Sequence, residues 1–72
     1  MKRRINPRKL LHSKWTAVSV SNKEKHFIVV AVYKDEADVI DRCKLEAVIN
    51  QNEYVINWHE LEDPEQWRQG WC

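Results

Sequence analysis

Cys43, Cys72, Ser13, His12, His26 and His59 are the side chains to weigh first for nucleophilic attack, near-neutral proton transfer or soft metal ligation. Nucleophilic catalysis requires a thiol or hydroxyl held against a base that is itself oriented. Ser13 follows His12 directly, but neighbours in an extended chain point to opposite sides. Cys43 falls on the apolar side of an alternating stretch, where it is expected to be an inert small hydrophobe. Cys72 is the last residue and is expected to be too mobile to be preorganised. No constellation fills the roles of an active site, so a non-catalytic protein is expected. The three histidines and two cysteines include no close pair at ligand spacing, which argues against a metal. Gly70, the one glycine, stands beside the end of the chain, so a glycine-rich phosphate cradle is excluded. No cofactor is expected.

What remains is binding chemistry. The chain carries four tryptophans in 72 residues, Trp15, Trp58, Trp67 and Trp71, and an uneven charge distribution behind a net charge of +1. Residues 1–14 hold Lys2, Arg3, Arg4, Arg8, Lys9 and Lys14 and no acid, whereas residues 53–65 hold Glu53, Glu60, Glu62, Asp63 and Glu65 and no lysine or arginine. The basic stretch either meets an external polyanion or folds back on the acidic one. In the first case Lys2, Arg3, Arg4, Arg8 and Lys9 neutralise phosphates, and Lys14, Lys23 and Lys25 extend the patch. Trp15, Tyr33 and the C-terminal indoles would then stack unpaired bases of RNA or single-stranded DNA. The alternative is a protein-interaction adaptor that docks through Trp67 and Trp71, tryptophan being enriched at interface hot spots. For each indole the structural reading, burial in a small core, stands beside the functional one.

These residues must be positioned by a single small domain. A chain of this length buries only about 60% of the surface it exposes when unfolded. After Asn6-Pro7, residues 8–12 suit one helical turn, with Asn6 capping and Pro7 in the first position. Residues 15–20 read as a strand, 21–24 as its loop, and 26–33 as a strand apolar on both faces. Residues 34–38 form a polar hairpin loop, and 39–50 alternate, with Cys43, Leu45, Ala47 and Ile49 inward. Residues 50–53 supply a tight turn, and 54–58 a further strand. Asp63, Pro64 and Gln66 suit the start of a short helix that Gly70 ends, placing Trp67 and Trp71 on neighbouring turns. The expected fold is mainly β: a small antiparallel meander or SH3-like partly open barrel of about four strands, with a short C-terminal helical turn. Residues 1–14 form a basic arm and 15–72 the domain. Two cysteines without metal spacing, no membrane-length apolar run and no secretory leader suggest a reduced, cytoplasmic protein.

Three segments carry a family resemblance: Lys9-Leu10-Leu11-His12-Ser13-Lys14-Trp15-Thr16-Ala17-Val18, then Lys23-Glu24-Lys25-His26-Phe27, then Trp58-His59-Glu60-Leu61 with Trp67-Arg68-Gln69-Gly70-Trp71. Over nearly the whole chain it resembles the small tryptophan-rich bacterial proteins of unknown function. The resemblance implies a bacterial, cytoplasmic, stand-alone domain, and it brings over no activity, ligand or catalytic residue.

Overall fold

Alternating apolar and polar residues carry the chain through four consecutive strands. In the computed structural model, which describes residues 4–72, they form an antiparallel meander. The strands β1 (Lys14–Ser21), β2 (Glu24–Lys34), β3 (Ile40–Ala47) and β4 (Glu53–Asn57) pair in chain order. A fifth, β5 (Trp67–Gln69), adds to the other side of β1, giving the sheet order β4-β3-β2-β1-β5. The mainly β meander is as expected, with five strands rather than four. The sheet stays open, with β4 and β5 as its edges among the described residues, so the barrel alternative is not formed.

Turn chemistry fixes the hairpins. Asn22 and Lys23 have φ of 54° and 62°, the left-handed pair that joins two strands most tightly. Between β2 and β3, Asp35 Oδ1 accepts the backbone N–H groups of Ala37 and Val39, closing the polar loop. The strand expected to run to Asn50 stops at Ala47. There the Ala47 carbonyl accepts the Gln51 N–H and Asn50 Oδ1 accepts that of Asn52, so backbone groups are satisfied inside a turn. Val48 and Ile49 are left exposed as a result. A bulge between Val29 and Ala31 shifts the β2–β3 register. It replaces Ala31 by Val32 on the inner face, opposite Cys43, and adds to the twist of the sheet.

The C-terminal helix is a correction. Helical geometry occurs earlier, as a 3-10 turn at Trp58–Glu62 capped by Asn57, and Trp58 opens that turn rather than ending a strand. Asp63 does cap a turn of its own: its Oδ1 accepts the Glu65 N–H, and its carbonyl accepts those of Gln66 and Trp67. The chain then leaves the turn and pairs with β1, Ala17 opposite Trp67 and Trp15 opposite Gln69. One isolated helical turn carries the nucleation cost with little propagation, and a ladder against a formed strand outcompetes it. Trp67 and Trp71 therefore do not project from neighbouring turns. Trp67 faces the inner side of the sheet. Gly70, at φ 79°, turns the chain so that Trp71 crosses to the outer side.

The core lies on the inner face, around Trp15, Val29, Cys43 and Leu45, and is roofed by Leu10, Trp58 and Leu61. Leu10 arrives from the leader through the 3-10 turn Pro7–Lys9, which Asn6 caps as expected. The Ile5 N–H donates to Glu62 Oε2 at 3.4 Å. From Ile5 onward, then, the leader packs against the domain, and its backbone meets the acidic segment. The indole N–H groups of the two buried tryptophans are satisfied, Trp15 by Ser13 Oγ at 2.8 Å and Trp58 by the Ile40 carbonyl at 2.9 Å.

Candidate functional site

Strand alternation and register assemble a cationic patch on the outer face of β1 and β5. Thr16 lies opposite His26 on one side and Arg68 on the other, so these three share a face with Lys14. The C-terminal residues cross that face as a strap. Thr16 Oγ1 donates to the Gly70 carbonyl and accepts the Cys72 N–H, and His26 Nε2 lies 3.0 Å from the Cys72 oxygen. The Trp71 indole N–H donates to the Phe27 carbonyl at 3.0 Å, which fixes the ring while 45% of the residue stays exposed. Lys14 Nζ sits 4.7 Å from the centroid of that ring, a cation–π contact. Beside the strap, Lys25 and Arg68 line a depression with Val18, Val20 and Cys72, and among the described residues no Asp or Glu lines it.

The structure thus brings together Lys14, Lys25 and Trp71 from the residues expected to contact nucleic acid or a partner, and it adds Arg68. Lys23 stands apart in the β1–β2 turn. Arg4, Arg8 and Lys9 are exposed on the leader and form no ion pair among the described residues. Lys2 and Arg3 lie outside the described residues. Trp15 is fully buried, with no ring face left for a base, so its place among the stacking residues is corrected to the core. Tyr33 lies near the far end of β2, opposite Arg42. Arg68 was missed because its segment reads as helix in sequence; only pairing with β1 puts it beside Thr16.

A second concavity occupies the inner face where the roof ends, a groove of about 420 Å³. Phe27, Leu45, Tyr54, Ile56 and Trp67 provide its apolar walls, and the Trp67 ring meets Phe27 edge-on at 5.2 Å. Glu24, expected in a loop, is the first residue of β2 and is 6% exposed at one end of the groove. Its Oε1 accepts the Tyr54 hydroxyl at 2.6 Å, and its Oε2 accepts the side-chain amides of Asn50 and Asn52 at 2.8 and 3.0 Å. One carboxylate therefore ties the first turn of the sheet to the third. The Tyr54 hydroxyl first, then Asn50 and Asn52, hold the Glu24 carboxyl below the ordinary carboxylate range, against the opposing effect of burial. The same bond pushes the Tyr54 phenol up.

A depressed folded-state pKa means that the site stabilises the fold above the ordinary glutamate value of about 4.3, and that this contribution is lost as the pH falls through the lower folded value. Urea unfolding of the wild type should accordingly show a larger loss of stability from neutral to strongly acidic pH than Glu24→Gln does. Parallel pH profiles for the two proteins would show that the carboxylate is not held this way.

Cys43 is fully buried, and its thiol is pushed up to about 11, by burial first and by Glu60 second, whereas Cys72 is exposed. A disulfide-exchange reagent at about pH 8 should titrate one thiol rapidly in the native protein and both after unfolding. Two fast native thiols would contradict the burial of Cys43. No cluster of three or more metal-capable side chains occurs among the described residues, and none of their helices is long and apolar enough to cross a membrane.

Among known proteins, a family model described as Tryptophan-rich protein (DUF2389) matches residues 13–72. No curated protein and no solved structure matches the chain.

Proposed function

The chain belongs to the tryptophan-rich protein family DUF2389, and for this member we propose a non-catalytic binding role whose ligand is single-stranded nucleic acid, RNA or DNA. The site is the outer face of β1 and β5. The observation that carries this reading is the Lys14–Trp71 pair: an anchored indole, still 45% exposed, with a cation over its ring. Arg68 and Lys25 lie on the same face and line one depression together with Thr16 and Cys72. Phosphates are drawn by the cations, and a base stacks on Trp71 as Lys14 moves from the ring to the backbone of the strand. The exposed Arg4, Arg8 and Lys9 add long-range attraction. Of the acidic residues that speak against a polyanion, Glu62 pairs with His59 and Glu24 lies in the inner groove. Glu46 and Glu53 share the outer face but stand two and three strands away from Lys14, with Glu53 paired to Lys44. A reduced, cytoplasmic setting accords with Cys43 and Cys72 both being free.

The adaptor reading asked Trp67 and Trp71 to meet one partner together. Lying on opposite faces of the sheet, they cannot share a flat interface. Titration of the protein with oligouridylate, followed by tryptophan fluorescence at two salt concentrations, tests the proposal. Quenching that weakens at higher salt and disappears in Trp71→Ala is expected. Absence of quenching, or quenching indifferent to salt, contradicts it.

A further inference from the structure

We propose that the inner groove docks an extended peptide from a partner protein, added as a strand along the open edge of β1, with a lysine or arginine reaching Glu24. Three independent features of the groove support this. The first is charge. Glu24 is buried at the end of an apolar groove, and no lysine, arginine or histidine lies within ion-pair distance of it among the described residues. Its three hydrogen bonds use three of about four acceptor positions of a carboxylate, leaving one open on a residue that lines the groove. Glu65 on the rim adds a second carboxylate without an ion pair among the described residues. A negative groove with aromatic walls suits a cationic side chain whose stem and neighbours are apolar.

The second feature is the edge. The β1–β5 ladder covers only Trp15 to Ala17, followed by a single bond from the Val18 N–H to the Gln66 carbonyl. Beyond it β1 continues to Ser21 with its outer edge uncovered, and Ser19 and Ser21 face the groove. An incoming strand can take the place that β5 vacates, forming main-chain bonds to β1 and directing alternate side chains inward. The third is size. About 420 Å³ accommodates a few side chains. An edge that calls for main-chain partners selects a peptide over a free small cation. This proposal does not depend on the nucleic-acid reading, because the two surfaces lie on opposite faces.

The test uses arrays of peptides of about eight residues, a typical strand length with short flanks. All positions are drawn from Val, Ile, Leu, Phe and Thr except a central Lys or Arg, and each peptide has a twin with central Gln. Binding to the isotope-labelled full chain is followed by amide shifts and hydrogen exchange. Lys and Arg peptides are expected to bind about tenfold or more tightly than their twins, charge pairs in desolvated sites being worth at least that much. They should shift Phe27 and Trp67 and slow exchange at residues 19–21, and Glu24→Gln should erase the preference. The twin comparison on the wild type decides the matter even if Glu24→Gln fails to fold. Equal binding of twins, no shift at the groove with any peptide, or butylammonium binding as tightly as the peptides would each overturn the proposal.

Discussion

Trp15→Ala is expected to bring the domain to the edge of stability, with a substantial unfolded fraction at room temperature before any urea is added, whereas Trp71→Ala should unfold at nearly the wild-type urea concentration. Trp15 is fully buried in the core of the inner face, opposite Phe27 in the β1–β2 ladder, and its ring N–H is bonded to Ser13 Oγ. Truncating a tryptophan in such a position costs about 3–5 kcal/mol in lost transfer energy and cavity. A domain of this length has a total stability of about 5 kcal/mol, so the substitution consumes most of it. Trp71 is 45% exposed and contributes one hydrogen bond, one cation–π contact and its packing on the strap, so its loss should cost about 1 kcal/mol. Far-ultraviolet circular dichroism during urea titration checks both. A Trp15→Ala protein that keeps a cooperative transition near the wild-type midpoint would contradict the core as described.

The second large effect concerns binding. Replacing Lys14, Lys25 and Arg68 together by Ala removes three cations from one face, all three exposed. Such residues neutralise phosphates and displace counterions from the strand. The slope of log affinity against log salt should therefore fall by about 2, since each neutralised phosphate of a single strand contributes about 0.7. Affinity for oligouridylate at about 0.1 M salt should drop tenfold or more, uniformly across base sequences. The fold should persist, because no ion pair among the described residues involves these three. An unchanged slope in a folded triple variant would remove this face from the binding site, and a loss confined to Arg4, Arg8 and Lys9 substitutions would assign binding to the leader instead.

The parts of this architecture that were legible in the sequence are those governed by local rules. Alternation gave β1 to β4 their extent to within a few residues, Asn6-Pro7 announced the first 3-10 turn, and the asparagine- and aspartate-rich stretches marked the hairpins. Misreadings occur where a long-range partner decides. Asp63, Pro64 and Gln66 are sound helix-starting residues and do close a turn, yet the unfilled edge of β1 claims Trp67 to Gln69. The bulge after Val29 has no sequence signature, and it exchanges which β2 residues face the core beyond it.

The candidate surfaces were less legible for the same reason. Lys14 and Lys25 were identifiable by type, but their partner Arg68 becomes one only through the β1–β5 register. Trp71 was identifiable by type as a binding indole, though not its position under Lys14, which depends on the turn at Gly70. Glu24 looked like one polar residue of a loop. Its burial follows from Asn50, Asn52 and Tyr54, 26 to 30 positions away, which converge on it once two hairpins lie side by side. No spacing rule in a linear chain expresses that convergence.

Amide chemical-shift mapping of the isotope-labelled chain during titration with oligouridylate tests the functional reading most directly. Perturbations concentrated at Lys14, Thr16, Lys25, Arg68 and the Trp71 indole N–H, diminishing as salt is raised, are the result predicted. Shifts confined to Phe27, Tyr54 and Trp67 in the groove, or a spectrum that does not respond, would contradict it.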